Sequence, residues 1–227
     1  MDLNDERWRQ ASLPVRWGGL GVRSVVLLAP SAYLASAAST AELASSLLPA
    51  RLRDVVDSGI APATSAWLQQ ASDPLTSTPT ALVPVSSAQR VWDDQCCEVQ
   101  ADKLLHAVVD QVTRARLLAA RSPYSGDWLE ALPLSSIGNK LDNATVRIAA
   151  GLRLGAPILR PHVCVCGKAV AVNGHHGLSC RFGSGRHSRH NQVNDVICRA
   201  FIKSGTLATR ESHYLCTGSG KRPDGVT

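Results

Sequence analysis

Residues 164–180 read CVCGKAVAVNGHHGLSC, and this stretch decides how the C-terminal part of the chain folds. Thiolates and imidazoles are the ligands that structural zinc prefers, and they usually come as one pair in a tight turn and a second pair further along. A glycine directly after the first pair permits the left-handed backbone of such a turn. The spacing therefore predicts a zinc site. Its candidate ligands are three cysteines and one of two adjacent histidines: Cys164, Cys166, Cys180, and either His175 or His176.

The same stretch has two other interpretations. The cysteines can form a disulfide, or they can be buried thiols beside two surface histidines. The chain has seven cysteines, an odd number, and its first ten residues, MDLNDERWRQ, contain no apolar secretory core. Because an intracellular chain keeps its thiols reduced, we expect an intracellular, nuclear protein with zinc rather than a disulfide. The Cys-x-Cys pair is tighter than the usual Cys-x2-Cys of structural zinc sites.

A helix with a basic start follows the predicted zinc site. Apolar residues recur at helical spacing and predict a stripe that packs on a core, and Gly205 can end the helix. His190 falls on the same face, which favours a histidine at the edge of the core. The arginines before the stripe suit phosphate at a helix N-terminus, although a solvated charged cap explains them equally well. The stripe consists of Val193, Val196, Ile197, Ala200 and Phe201.

Beyond this helix the sequence changes to strand-like segments. Residues 209–216 (TRESHYLC) have the composition of a strand, TGSG is typical of a turn, and KRPDGVT resumes an extended run. A Pro-Asp at the start of a strand places the carboxylate of Asp224 at its tip. Magnesium-dependent cleavage of phosphodiesters uses such a carboxylate, because hard cations prefer oxygen ligands. Pro-Asp-Gly is also a common turn, so the pattern alone leaves Asp224 open as a turn residue.

These segments together resemble part of a known family. The C-x-C…H…C cluster, the Arg-His-rich helix with Asn194 and the segment 221–225 (KRPDG) occur in the order found in the C-terminal region of non-LTR retrotransposon polyproteins. Such polyproteins carry a restriction-enzyme-like endonuclease, in which a Cys-Cys-His-Cys zinc knuckle precedes a PD-(D/E)XK nuclease core. Residues 10–39, QASLPVRWGGLGVRSVVLLAPSAYLASAAS, resemble the segment that follows the reverse transcriptase palm. The similarity runs from about Trp8 to the last residue.

The resemblance implies roles for individual residues. Asp224 would be a catalytic, metal-binding carboxylate, and three cysteines with one histidine of the pair would hold zinc. The second acidic residue of the nuclease motif is missing from these 227 residues. We therefore expect no cleavage, and magnesium only where the nuclease site is completed. The residues that would contact DNA or RNA are Arg186, Arg189, His190, Lys221 and Arg222.

A polymerase active site is not expected. No Tyr-x-Asp-Asp or Phe-x-Asp-Asp motif occurs in the sequence. The nearest string, Trp92-Asp93-Asp94, lies in a helical context and is interpreted as an exposed acidic turn of a helix. We therefore expect this chain to lack a polymerase active site, whatever its parent element encodes.

Composition favours a polyanionic partner. The net charge is +6 and the pI is about 9.1, which favour salt-dependent binding to DNA or RNA. Two phenylalanines and three tyrosines argue against an aromatic platform for single strands. The apolar stretch 29–48 is interrupted by Pro30 and several serines, so we expect no membrane partner. We also expect no small-molecule substrate, and the oligomeric state is open.

The expected fold class is mainly α, with a helical linker region, a small zinc knuckle and an incomplete α/β restriction-endonuclease-like domain. A long helix is predicted over 87–121, with shorter ones over 127–132 and 137–154 and Trp128 as a core anchor. The buried stripe of the long helix is predicted at Leu104, Leu105, Val108, Val109 and Val112. The predicted boundaries are 1–72 for a helical segment after a reverse transcriptase palm, 73–87 for a Pro/Ser/Thr-rich linker, 88–160 for the helical linker region, 161–182 for the zinc knuckle and 183–227 for the truncated endonuclease-like domain.

Three functions are compatible with these features. The first is a fragment of a retrotransposon reverse transcriptase/endonuclease polyprotein that binds nucleic acid in target-primed integration. The second is a non-enzymatic, zinc-stabilised nucleic-acid-binding module that has lost cleavage. The third is a degenerate transposon remnant without a biochemical role. An acidic residue and a lysine on a further strand would favour the enzyme over the binding module.

Overall fold

The chain divides into two units, Met1–Ile158 and Leu159–Thr227. Its fold is mainly helical, as the sequence predicts. Most of the linker predicted at 73–87 lies outside the described residues. Of the helices in the described parts of the chain, none combines the length and the apolarity that a bilayer span requires. The residues described by this computed structural model are 3–49, 52, 58–72, 83–84, 88–183, 185–210 and 225–226.

The described part of the first unit is helical. Two 3-10 turns, Val15–Trp17 and Ser135–Ile137, join longer helices. Several helices start at a side chain that caps the backbone, because the first N–H groups of a helix have no partner inside it. These caps are Asn4, Asp110 and Asp142. The α-helices are α1 (Asp5–Ser12), α2 (Val25–Leu47), α3 (Ile60–Ala71), α4 (Gln89–Ala107), α5 (Gln111–Arg121), α6 (Asp127–Glu130) and α7 (Asn143–Leu154).

Helices α2, α3 and α4 pack against one another around the main core of this unit. Trp67 on α3 is fully buried, and its indole N–H donates to the backbone carbonyl of Trp92 on α4 over 3.0 Å. The two ring systems meet edge to face with centroids 5.3 Å apart. Such a pair contributes about 0.5–1.5 kcal/mol beyond the area that it buries. Small buried residues on α2, Ser31 and Ala35, leave room for the neighbouring helices.

The long helix predicted over 87–121 is in fact two helices, α4 and α5. Asp110 separates them, because its carboxylate accepts the backbone N–H of Thr113 over 2.8 Å and starts a new helix. The predicted buried stripe is wrong at Val109, which is 97% exposed, and at Val112, which is 56% exposed. Helix α4 buries a different set: Trp92, Cys96, Cys97 and Ala101.

The two shorter helices are present with different bounds. The helix predicted over 127–132 ends at Glu130, and the one predicted over 137–154 begins only at Asn143. Trp128 on α6 is only half-buried, so the prediction that it anchors the core is wrong. The tryptophans on α3 and α4 take that role.

The Trp-Asp-Asp string on α4 is helical, as predicted, but it is not an exposed acidic turn. Asp93 is 9% exposed and lies 2.5 Å from the guanidinium of Arg23. Asp94 pairs with Arg16 and accepts a hydrogen bond from the indole of Trp17. Burial alone would raise the pKa of Asp94, but these hydrogen bonds outweigh it and lower that pKa below its usual value. The two carboxylates therefore hold the segment after α1 against α4.

The guanidinium of Arg153 also binds the segment that follows α1. Arg153 on α7 is 8% exposed, and its side chain donates only to backbone carbonyls and a serine hydroxyl among the described residues. Gly19 is required in this segment, because an added Cβ would lie 1.9 Å from the carbonyl oxygen of Leu13. The carbonyls that Arg153 binds belong to Val15, Gly19, Ala120 and Ser125.

The second unit combines short strands with two helices. Strand β1 (His162–Val163) pairs antiparallel with β2 (Ala169–Val170), so that Val163 faces Ala169. Strand β3 (Thr209–Arg210) pairs antiparallel with β4 (Gly225–Val226). Helix α8 (His175–Ser179) follows β2, and helix α9 (Gly185–Lys203) precedes β3. Residues 211–224, between β3 and β4, lie outside the described residues.

The helix predicted after the zinc site is present as α9, and Gly205 ends it as predicted. Gly205 has a left-handed φ of +82°, and the N–H of Thr206 donates back to the carbonyl of Phe201 over 2.9 Å. This pattern is a Schellman cap. The predicted packing of the apolar stripe is wrong, because Val193 is 57% exposed and Val196 is 60% exposed.

The contacts of β3 explain why the stripe is exposed. Arg210 on β3 pairs with Asp195 on α9, and the thiol of Cys198 donates to the carbonyl of Ala208 over 3.4 Å. By helical spacing, Asp195 and Cys198 lie on the side opposite the stripe. The helix therefore meets the strand through its polar side, which the apolar period alone does not indicate.

Candidate metal centre

The first two candidate ligands lie on the turn between β1 and β2. The N–H of Cys164 donates to the carbonyl of Lys168 over 2.9 Å, and the N–H of Gly167 donates to the carbonyl of Cys164 over 2.8 Å. Residues 164–168 thus connect the strands, and the Cys164–Lys168 hydrogen bond closes a loop of three residues, 165–167, that ends at Gly167 with a left-handed φ of +81°. Three-residue loops of this kind are common in hairpins. The loop places Cys164 directly after β1 and Cys166 within the turn, so the tight Cys-x-Cys spacing fits the hairpin.

Of the other two ligands, His176 lies on the short helix α8 and Cys180 is the C-cap residue directly after it. Gly174, with a left-handed φ of +69°, precedes the helix. The N–H of Cys180 donates to the carbonyl of His176 over 2.9 Å, which is the hydrogen bond of one helical turn. Residues four apart on a helix lie on the same face. His176 and Cys180 therefore present their side chains together, whereas His175 is one position out of phase.

The hairpin and α8 bring four ligand atoms together. The Sγ of Cys166 lies 3.2 Å from Nε2 of His176, and the Sγ atoms of Cys164 and Cys180 lie 3.6 Å apart. All four ligand atoms lie within 4.8 Å of one another. Tetrahedral zinc with ordinary bond lengths separates such atoms by about 3.6–3.8 Å. The cluster can therefore hold a metal ion, and its donor set fits zinc.

The geometry chooses between the alternatives that the sequence left open. His176 belongs to the cluster and His175 does not; the backbone N–H of His175 instead lies 3.4 Å from the side-chain oxygen of Asn173. The cysteines of the cluster are free thiols, and 3.6 Å between two sulfurs is far longer than a disulfide bond. Cys180 is buried, while the other three ligands are half-buried.

Cations flank the cluster in a shallow cleft. Lys168 and Arg181 line this cleft together with Ser179 and three of the ligands. Three thiolates carry more negative charge than a divalent ion neutralises, so neighbouring cations offset the remainder. Arg181 belongs to the run of arginines that leads into the basic helix, whereas no sequence pattern assigned a role to Lys168. Their closeness in sequence to Cys166 and Cys180 was the available signal.

The other predicted site residues lie on α9 or beyond it. Arg186, Arg189 and His190 fall in the first two turns of α9, and the side chains of the two arginines lie outside the described part of the structure. His190 is exposed, so the prediction that it lies at the edge of the core is wrong. Its imidazole Nε2 lies 3.1 Å from the side-chain nitrogen of Asn194. Asp224, Lys221 and Arg222 lie outside the described residues, and β4 begins at the residue after Asp224.

Positive charge is concentrated in the unit that holds the cluster. Residues 159–227 contain ten lysines and arginines and three acidic residues, a net charge of +7. Residues 1–158 contain fourteen basic and fifteen acidic residues, a net charge of −1. A polyanion would therefore be attracted to the second unit rather than to the first.

Comparison with known proteins adds no assignment. No protein-family model matches the chain, and no curated protein or solved structure is significantly similar to it.

Proposed function

We propose that this chain is part of the polyprotein of a non-LTR, reverse-transcribing element and that its second unit is a zinc-stabilised module that binds nucleic acid during target-primed integration. The observation that carries the proposal is the convergence of three cysteines and His176 within a unit of net charge +7. The order of the motifs, from C-x-C to KRPDG, supports the link to such elements.

The ligand set favours zinc over the hard cations, because thiolates and imidazole are soft or borderline donors. Zinc at a structural site of this kind supplies folding free energy on the order of 10 kcal/mol. The side chains of the cluster come from two separate pieces, the β1–β2 hairpin and α8. Holding them together fixes the cationic cleft of Lys168 and Arg181 between those pieces.

The metal centre also fixes where the basic start of α9 lies. Helix α9 begins at Gly185, five residues after Cys180, and runs for 19 residues. The first N–H groups of a helix have no partner inside it and form the positive end of the helix dipole. Arg186 and Arg189 lie in the same two turns. Phosphate groups suit this combination of N–H groups and arginines.

The proposal assigns these 227 residues binding rather than cleavage. Hydrolysis of a phosphodiester by this type of nuclease needs a second carboxylate besides that of Asp224 to hold magnesium. Lys221 and Arg222 would then steady the phosphate. An acidic residue and a lysine on a further strand of the parent element would favour the endonuclease, and their absence would favour a non-enzymatic binding module.

A salt titration of the full chain with duplex DNA and with a structured RNA tests the proposal. We expect the logarithm of the binding constant to fall linearly with the logarithm of salt between roughly 50 and 200 mM. Replacing both Arg186 and Arg189 by Gln should make the slope shallower by roughly one for each phosphate that the variant no longer neutralises. The control is Arg147→Gln, an exposed arginine on α7 in the first unit.

The proposal fails if the zinc-loaded chain shows no salt-dependent binding to either nucleic acid. It also fails if Arg147→Gln changes the slope as much as the double variant does, because binding would then not depend on the second unit. Zinc content is measured on each variant, so that a loss of binding is not confused with a loss of the metal centre.

A further inference from the structure

Phe182, two residues after the ligand Cys180, has an exposed aromatic ring that stacks against the guanidinium of Arg181. Phe182 is 59% exposed, although it lies only two residues after Cys180 of the cluster. The guanidinium carbon of Arg181 lies 4.7 Å from the centroid of the Phe182 ring. Arg181 also lines the cleft next to Cys180 and His176. An exposed aromatic ring is thus stacked against an arginine that lines the cationic cleft, rather than buried in a core.

The residues of the cleft suit a phosphate. Lys168 and Arg181 line it, and Ser179 adds a hydroxyl group. Ser179 belongs to α8, and Lys168 directly precedes β2, so both are placed by the elements that carry or flank the candidate metal ligands. Arg181 connects the two features, because it lines the cleft and stacks on the ring of Phe182.

We propose that Phe182 and Arg181 form a stacking site for an unpaired base, and that Lys168 holds the adjoining phosphate. The site rests on the proposed nucleic-acid function and narrows its partner to a single-stranded stretch or a bulge. Bases within a duplex stack on their neighbours, whereas an unpaired base offers its face to aromatic rings and guanidinium groups. One ring of this kind suffices for one base, even though the chain has too few aromatics for an extended platform.

The test compares the affinities of the full, zinc-loaded chain for a short single strand and for a blunt duplex of the same sequence. Phe182→Leu keeps an apolar side chain but removes the ring, and we expect it to weaken single-strand binding about fivefold or more. Duplex binding should change less than twofold. Phe182→Tyr keeps a ring and should retain the wild-type affinity. Phe201→Leu removes the other phenylalanine of the chain, on α9, and serves as the matched control.

A second measurement locates the contact. A single strand that carries 5-iodouracil is irradiated in complex with the chain, and the cross-linked peptide is identified by mass spectrometry. We expect the peptide that contains Phe182, and we expect its yield to fall in the Phe182→Leu variant.

The outcomes separate this inference from the function on which it rests. Equal affinities of Phe182→Leu and the wild type for single strands overturn the stacking site while salt-dependent binding survives. An equal loss for single strands and duplexes also overturns it, because the ring would then not distinguish unpaired bases. Failure of the wild-type chain to bind any nucleic acid overturns both.

Discussion

Replacing His176 by Gln should unfold the second unit, whereas replacing His175 by Gln should leave it folded. The two histidines are neighbours on α8, but only His176 contributes an atom to the cluster, with Nε2 lying 3.2 Å from the Sγ of Cys166. Glutamine has a similar length and is a poor zinc ligand. Each variant therefore removes one imidazole, and the two variants differ only in whether that imidazole is a ligand.

The size of the effect follows from the small core of this unit. Among the described residues of the second unit, the buried hydrophobic side chains are those of Val170 and Cys180. Burying a side chain of the size of valine contributes about 1.5–3 kcal/mol. A structural zinc ion contributes on the order of 10 kcal/mol. We therefore expect most of the stability of the described part of this unit to come from a bound metal ion, and we expect removal of a ligand to leave the hairpin and α8 without a stable fold.

The assay separates the two units because all five tryptophans lie within residues 1–158. Tryptophan fluorescence during urea denaturation reports only the first unit, and it should be the same for His176→Gln, His175→Gln and the wild type. Hydrogen exchange of residues 162–180 reports the metal centre. Protection there should disappear in His176→Gln and after chelation of the wild type, and it should persist in His175→Gln.

Two results would refute this reasoning. If His176→Gln keeps its zinc and its protection while His175→Gln loses both, the ligand assignment is wrong. If chelation removes zinc from the wild type without reducing the protection, the metal is bound but does not stabilise the unit.

Three further predictions concern the first unit. Arg153→Met removes the guanidinium donor of four buried or half-buried carbonyls, of which those of Val15 and Ala120 each keep one other donor. It should lower the free energy of unfolding by about 3 kcal/mol, measured by urea denaturation, whereas the exposed Arg147→Met should change it little. Burial raises the pKa of the Cys96 thiol to about 12 and that of Cys97 to about 11, so neither should be alkylated at pH 8 unless the chain unfolds. A backbone hydrogen bond from Thr145 lowers the pKa of Asp142 in the folded chain. The stabilisation by this cap is therefore complete above the unfolded-state pKa of about 3.9 and is lost as the pH falls through the folded-state pKa. The difference in urea midpoint between Asp142→Ala and the wild type should shrink over the same pH range.

The sequence predicted the ligands of the metal centre because their arrangement is local. Cys-x-Cys-Gly defines one turn, and both pieces of the site lie within 17 residues, from Cys164 to Cys180. The choice of histidine was also present in the spacing, since His176 lies one helical turn before Cys180. The choice between His175 and His176 stayed open because α8 has only five residues, too few for a periodic pattern to reveal a helix.

Contacts between distant parts of the chain could not be predicted in this way. The Trp-Asp-Asp string has the composition of a solvated helical turn, and its burial depends on Arg23, 70 residues away along the chain. The apolar stripe of α9 was predicted to be buried and is instead exposed. Its period correctly predicts a helix, but whether Val193 and Val196 are covered depends on which side the next strand contacts, and β3 contacts the polar side. Periodicity predicts an element and its apolar face, not the partner of that face.

We propose that a zinc ion organises a nucleic-acid-binding unit in this chain, and the zinc content of the purified full chain is the quantity to measure first. Elemental analysis is made before and after treatment with a chelator, and binding to DNA and RNA is measured on the same samples. We predict stoichiometric zinc, loss of salt-sensitive binding when the zinc is removed, and recovery when it is returned. A chain that purifies from zinc-containing medium without zinc, or that binds nucleic acid equally well after chelation, would contradict the claim.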